Sequence, residues 1–378
     1  MSEIALYFKY GKENIKRLEQ CPSLFQPFYN VKNEIIVNHD VDSLQPTISN
    51  EATYDPPFLL SNPYSMTDFI MYRRNKLQLK IDRELLVNKK DGGTVSLDWF
   101  DFGVNFKDDT PIIIFSHSLV GGTNEPYIKY FGKYAYDTKG FRSAVFVNRG
   151  CSGTPVTADT CGSGSRIDDL EMIIDHIKEK YPSAPLFLVG HCSGSMMNLN
   201  HLYKHNEKSP ITAYVCISYP IDVGASSDTF TDNPFHSFYF YRGIHKLLVK
   251  YYTKYGDRLK KFGTTIEDIQ RAKSLREIDQ LTIVKMFGYK NSDAYYEDTN
   301  KCTQNLEKLK KPVLMFNAKD DIISPYQLIP FKKIKSNENI IMALTKRGGH
   351  MGFISNRNRW ENWCHRAAVE YISTFIKR

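Results

Sequence analysis

No Cys-x-x-Cys spacing occurs in this chain. Its seven cysteines stand singly at 21, 151, 161, 192, 216, 302 and 364. An odd, scattered set argues against a disulfide framework and against a cysteine-held structural zinc. No run approaches the roughly eighteen apolar residues of a membrane span, and the opening "MSEIALYFKYGKENIKRLEQ" lacks the apolar centre of a signal peptide. A soluble protein of the reducing cytoplasm is the default expectation. Internal repeats and low-complexity tracts are missing too. The net charge of +8 is spread along the chain, and its densest run near a strand, "KLKK" (Lys308 to Lys311), reads as solvated surface. A nucleic-acid partner is therefore not expected, while weak attraction to an anionic membrane surface stays open. "GSGS" (Gly162 to Ser165) is not followed by the Lys-Ser/Thr of a phosphate loop, and no His-Glu-x-x-His accompanies His201 and His205, which read as helix surface. Neither a cofactor nor a metal is expected. Oligomeric state leaves no mark in the sequence.

What is present is ordinary globular material: 42% hydrophobic and 24% charged residues over 378 positions, enough to bury a sizeable core. Residues 1–53 are polar and weakly patterned and read as an N-terminal extension. From residue 54 a single folded domain is expected to run to 378. "RELLVNKKDGGTVSLDWFD" predicts a hairpin closed on Asp91-Gly92-Gly93. Short, continuous apolar runs follow: "PIIIFSH", "FRSAVFVNRG", "APLFLVGH", "ITAYVCISYP", "PVLMFNAKDD" and "NIIMALTKRGGH". Such runs suit strands buried on both faces. Helical patterns alternate with them. "SRIDDLEMIIDHIKEKYP" sets Ile167, Leu170, Ile173, Ile174 and Ile177 on one face, with acids early and lysines late. The fold class is α/β, with a mainly parallel central sheet and helices on both faces. Residues 224–311 interrupt the alternation with aromatic-rich helical sequence such as "FHSFYFYRGIHKLLVKYYTKYG". They are either further core helices or a helical lid insertion. The lid is favoured because aromatic lids suit acyl chains.

"LVGHCSGS" (Leu188 to Ser195) follows one of the buried strands and has the spacing Gly-x-nucleophile-x-Gly, with Cys192 at its centre. Ser193 and Ser195 lack glycine at the flanking offsets, so Cys192 alone fits the tight strand-to-helix turn. The helix that follows would aim its N-terminal dipole at the sulfur. Asp321 in "NAKDDIISP" follows a later strand, with Asp320 as its competitor. His350 ends "KRGGH" after the last strand. Nucleophile, acid and histidine in this chain order form an acyl-transfer constellation. "FSHSLVGG" (Phe115 to Gly122) stands where a loop would give one oxyanion N–H, near Leu119, with the N–H of Ser193 as the second. "NRGCSG" (Asn148 to Gly153) reads as a structural turn.

Taken together, "PPFLLSN", "DGGTVSLDW", "HSLVGGTNEPYI", "GFRSAVFVNRG", "RIDDL", "PLFLVGHCSG", "LREID", "FGYKNSDAYY", "LMFNAKDDIISP" and "GGHMGF" resemble the α/β-hydrolase-domain group of medium-chain acylglycerol lipases, phospholipases and ester-forming acyltransferases. The resemblance runs from about residue 54 to the C-terminus. It implies an α/β-hydrolase fold and the triad Cys192, Asp321 and His350. It also implies carboxylic ester hydrolysis of medium-chain acylglycerol or phospholipid substrates through an acyl-enzyme. Two positions depart from the group, which carries Ser where Cys192 stands and Gly where Ser118 stands. Many of its members also have an N-terminal membrane anchor that is not found here, and peripheral membrane contact is left open. Sulfur is larger than oxygen, and displacing the intermediate on the ångström scale costs about 100-fold. A thiolate at a helix N-terminus is in turn strongly nucleophilic. Dienelactone hydrolases are similar in carrying Cys at this elbow. Two further readings remain: an impaired hydrolase fold that binds lipid or a partner, and an acyl-alcohol transferase.

Overall fold

The continuous apolar runs become strands whose side chains are buried above and below. The computed structural model describes residues 2–9, 11–26, 37–38, 47–48, 52–60, 62–72, 77–355 and 362–376. Ten strands form the main sheet: β1 (Ser2–Phe8), β2 (Thr53–Tyr54), β3 (Lys80–Val87), β4 (Thr94–Asp101), β5 (Ile112–Ser116), β6 (Arg142–Val147), β7 (Leu186–His191), β8 (Ile211–Ile217), β9 (Val313–Ala318) and β10 (Ile340–Thr345). Their order is β2-β1-β10-β9-β8-β7-β5-β6-β4-β3. The six strands expected from the apolar runs, β5 to β10, pair in parallel. Antiparallel strands close both ends, among them the expected hairpin of β3 and β4.

Alternation along the strands divides the core in two. Ile113, Phe115, Phe187, Val189, Val215 and Ala343 face one side, where Phe131 of α3 (Pro126–Lys139) and Ala368 of α10 (Trp363–Ser373) cover them. Ile112, Ile114, Leu186, Leu188, Cys216 and Met342 face the other. There Ile173 and Ile177 of α4 (Asp168–Lys180) and Leu199 of α5 (Ser193–His205) cover them. Helices on both faces keep β5 to β10 from water, which is why these runs lack a polar alternate.

Residues 2–25 correct the expected extension. β1 pairs antiparallel with β10 from Ile4↔Thr345 to Phe8↔Ile341. Leu18, Cys21, Leu24 and Phe25 are buried in the first core, and the Trp363 indole donates to the carbonyl of Ser23 (2.9 Å). This strand covers an edge of β10 that would otherwise expose unpaired backbone.

Two motifs away from the elbow hold the frame together. Arg149, after β6, is buried and pairs with Asp91 of the hairpin turn (2.6 Å) and with Asp169 of α4 (2.6 Å). "NRGCSG" is structural for this reason. His201 is corrected from helix surface: it is 2% exposed, and its Nδ1 lies 3.0 Å from the Tyr214 hydroxyl. His205 is half-buried and pairs with Glu171.

Between β8 and β9 the chain runs through a series of helices. They include α6 (Val223–Asp228), α7 (Arg242–Thr253), α8 (Leu275–Leu281) and α9 (Ser292–Thr299). The Tyr251 hydroxyl of α7 donates to the carbonyl of Arg149 (3.0 Å), fixing this insertion beside the carboxyl ends of the strands. Among the described residues no helix is long and apolar enough to cross a membrane.

Candidate active site

The end of β7 turns into α5 at Cys192, whose backbone has φ 50° and ψ −118°. Such a left-handed angle in a non-glycine residue is costly and persists where the surroundings enforce it. The flanking glycines are part of that enforcement. A Cβ at Gly190 would lie 2.4 Å from the Ser195 backbone, and one at Gly194 would lie 2.2 Å from the Ser116 carbonyl. The Cys192 N–H donates to Ile217 on β8 (2.9 Å). All seven cysteines are free, and six are buried; Cys192 is the partly exposed one. Burial pushes the Cys151 and Cys161 thiols up to about 12, which keeps them protonated and inert. The neighbouring hydroxyls do not compete equally. Ser195 is buried and engaged with both backbone groups of Ile217, whereas Ser193 lines the same cavity as Cys192.

Two histidines lie near the sulfur. His191 is adjacent in sequence but buried against Tyr127, with ring centroids 4.6 Å apart, and burial pushes it down to about 3. It is a neutral core residue. His350 donates from Nδ1 to Asp321 Oδ2 (3.0 Å) and Oδ1 (3.1 Å). Asp321 Oδ1 also accepts the N–H groups of Ile323 (2.8 Å) and Ser324 (3.0 Å), so the carboxylate is aimed before the imidazole arrives. Asp320 is not on the histidine: it accepts the Gly349 N–H (2.9 Å), and burial pushes it up to about 6. For His350, burial opposes the imidazolium, but Asp321 and then Cys192 overcome it and push the pKa up to about 10. Nε2 of His350 is buried without a hydrogen-bond partner among the described residues, although Cys192 is near enough to act on its charge. Such contacts commonly tighten only when substrate is bound.

The loop after β5 is held by residues that spacing alone did not single out. The Asn148 N–H donates to His117 Nε2 (3.2 Å), so Nδ1 carries the proton and donates to the Ser118 carbonyl (2.6 Å). Burial pushes His117 down to about 4, keeping it neutral in that role. The Tyr127 hydroxyl meets both the N–H (3.1 Å) and the hydroxyl (2.7 Å) of Ser118. Val120 has φ 47°. Leu119 and Ser193 both line the cavity beside Cys192, and among the described residues neither backbone N–H has a backbone acceptor. On the opposite side, Thr67 of α2 (Pro63–Tyr72) accepts the His350 N–H (2.9 Å), and Ser218 accepts that of Met351 (2.8 Å). Nothing in the sequence pointed to Thr67 or Ser218.

These groups open into a cavity of about 220 Å³. Val120, Met196, Val223, Leu248, Leu275 and Ile283 give it apolar walls, several of them from the helical insertion. A partly exposed thiol at a helix N-terminus, an imidazole aimed by a carboxylate and two unengaged amides beside an apolar chamber are the parts that acyl transfer from a substrate with a hydrocarbon tail requires.

Comparison with known proteins agrees with this geometry at the level of family. The family described as serine aminopeptidase, S33, matches residues 129–350, more than half of the chain. An abhydrolase domain-containing protein of Dictyostelium discoideum is 38% identical over 99% of this chain and 95% of its own length. Phospholipase ABHD3 of Bos taurus is 32% identical over 97% of this chain and 84% of its own. A soluble variant of the monoglyceride lipase of Saccharomyces cerevisiae, solved with a substrate analog, superposes with a TM-score of 0.52 at 16% identity. That match covers 81% of this chain and 99% of the other, and it speaks for the fold. The chain belongs to this family of α/β-hydrolases and is a lipase- and esterase-like enzyme.

Proposed function

We propose that this enzyme hydrolyses medium-chain acyl esters of acylglycerols or phospholipids through a thioester on Cys192. The observation that carries the reading is the contact of His350 with Asp321 on one side and its closeness to Cys192 on the other, within an apolar cavity. In the resting pair His350 already holds, as imidazolium, the proton that the Cys192 thiol gives up. The thiolate attacks the ester carbonyl, and the N–H groups of Ser193 and Leu119 receive the developing oxyanion. Collapse of the intermediate releases the alcohol, which takes its proton from His350. Water, deprotonated by His350, then cleaves the thioester, giving the carboxylic acid and free thiol. Asp321 holds the imidazole orientation throughout. The helical insertion between 224 and 311 serves as the lid, and the named relative, a phospholipase, supports a glycerolipid as substrate.

Purified protein should hydrolyse p-nitrophenyl octanoate, and iodoacetamide should stop it. Activity surviving Cys192→Ala would remove Cys192 from the mechanism. With ethanol present, free octanoate as the main product supports hydrolysis, whereas ethyl octanoate would reassign the enzyme to acyl transfer.

Access to lipid is supported by the surface beside the cavity. Phe58, Leu59, Phe235 and Phe238 are more than half exposed, and Tyr64 of α2 packs on Phe235 (5.2 Å). Along α7 the exposed Arg242, Lys246 and Lys250 recur every four residues, which puts them on one face. Aromatic side chains next to a basic stripe suit the interface of an anionic bilayer. The protein should float with vesicles containing phosphatidylserine and float less with neutral ones; equal recovery in the pellet with both would exclude this contact.

A further inference from the structure

The part of the cavity walled by the helical insertion carries polar groups that ester cleavage leaves unused. Asp279 of α8 lines it together with Ser226 and Ser227 of α6. Ser226 is 6% exposed, and its hydroxyl has no hydrogen-bond partner among the described residues. A buried hydroxyl in that condition costs free energy and invites a ligand that satisfies it. The Tyr296 hydroxyl lies 2.8 Å from Asp279 Oδ2 and 3.1 Å from Ser227 Oγ, joining α6 and α8 at one spot. Arg276, whose charge reaches Asp279, is engaged elsewhere: it pairs with Asp228 (2.8 Å) and with Asp293, and lies over the Tyr296 ring (5.0 Å). Among the described residues no cation forms an ion pair with Asp279. The surrounding walls are apolar or aromatic, with Leu275, Ile283, Tyr252 and Tyr295. Burial pushes the Asp279 carboxyl up to about 7. A carboxyl held in such walls by one tyrosine contributes little to packing that an apolar side chain would not supply better.

We propose that Asp279 and Ser226, which line the same cavity, form a polar subsite that accepts a hydrogen-bond-donating group of the substrate, a hydroxyl or a primary ammonium. Asp279 is then a specificity-determining residue. This rests on the reading of the cavity as the acyl-ester site, and the test keeps the two apart by using ligands with no ester to cleave.

Binding of 1-O-octylglycerol, octylammonium and octyl methyl ether to the full chain is measured by calorimetry. The first carries hydroxyls, the second an ammonium, and the third no donor. In Asp279→Asn, at least one donor-bearing probe should weaken about tenfold relative to the ether, as expected for losing a hydrogen bond to a charged group. The probe affected identifies hydroxyl or ammonium as the donor. Ser226→Ala removes a hydroxyl without a partner, so it leaves the fold's own bonds intact. It should shift the same probe in the same direction, and it carries the test alone if Asp279→Asn does not fold. Equal weakening of all three probes would reduce Asp279 to a structural role, and unchanged ratios in both variants would overturn the subsite. Probe discrimination in a protein that hydrolyses no ester would sink the proposed function and leave the subsite standing.

Discussion

At the scale of single residues, the decisive feature is the charge on His350. Its pKa lies at about 10, above an ordinary value of 6.5, because burial is outweighed by Asp321 and then Cys192. The folded protein therefore holds a proton here that the unfolded chain releases. The contribution to stability is fully present below about pH 6.5 and is lost as the pH rises through about 10. Melting temperature should fall over that window more steeply in the wild type than in Asp321→Asn; parallel curves would contradict the assignment. The same account predicts that Cys192→Ala lowers the His350 pKa, read from the imidazole proton shifts, and that Asp321→Asn lowers it further. Asp321→Asn should also cost about 1000-fold or more in esterase kcat, since the ring loses its orienting partner. Asp320→Asn should cost less than tenfold, since Asp320 accepts from Gly349 and not from His350. Similar losses in the two variants would show that the acid has been assigned to the wrong carboxylate.

At the scale of elements, the elbow depends on how closely β5 and α5 approach. A Cβ at Gly194 would meet the Ser116 carbonyl at 2.2 Å, a contact that backbone cannot relieve by turning a side chain. Gly194→Ala should destabilise the fold by about 3 kcal/mol, measured by urea unfolding; a change below about 0.5 kcal/mol would mean the turn has slack. These glycines were readable because a motif with fixed offsets reports local geometry. The partners of the site were not. Thr67 meets His350 across 283 positions of chain, and Tyr127 reaches Ser118 from α3. Hydrogen bonds between distant segments leave no period and no spacing. His201 was misread for the same cause: its partner Tyr214 lies on a neighbouring strand, and a lone histidine in a helix says nothing of what it will face.

At the scale of the whole molecule, the six parallel strands were legible because burial on both faces demands unbroken apolar runs. β1 was not. Among its side chains from residue 4 to residue 8, Ile4 alone is buried, and "IALYF" is followed by charged, weakly patterned sequence. Its place at the edge of β10 is settled by pairing, which sequence alone does not reveal. Removing residues 1–9 should uncover that edge and the pocket for Ile4, costing about 3 kcal/mol or more and promoting aggregation. A truncated protein that stays monomeric and melts like the full chain would show the strand to be dispensable.

In the proposed mechanism, sulfur at the elbow forms the acyl-enzyme. This step is tested most directly by mixing the protein with p-nitrophenyl octanoate, quenching in acid at early times, and locating the adduct by peptide mass spectrometry. One octanoyl group is expected, on Cys192, that hydroxylamine removes and that Cys192→Ala abolishes together with turnover. An octanoyl group on Ser193 or elsewhere, or steady hydrolysis by the Cys192→Ala variant, would contradict the mechanism.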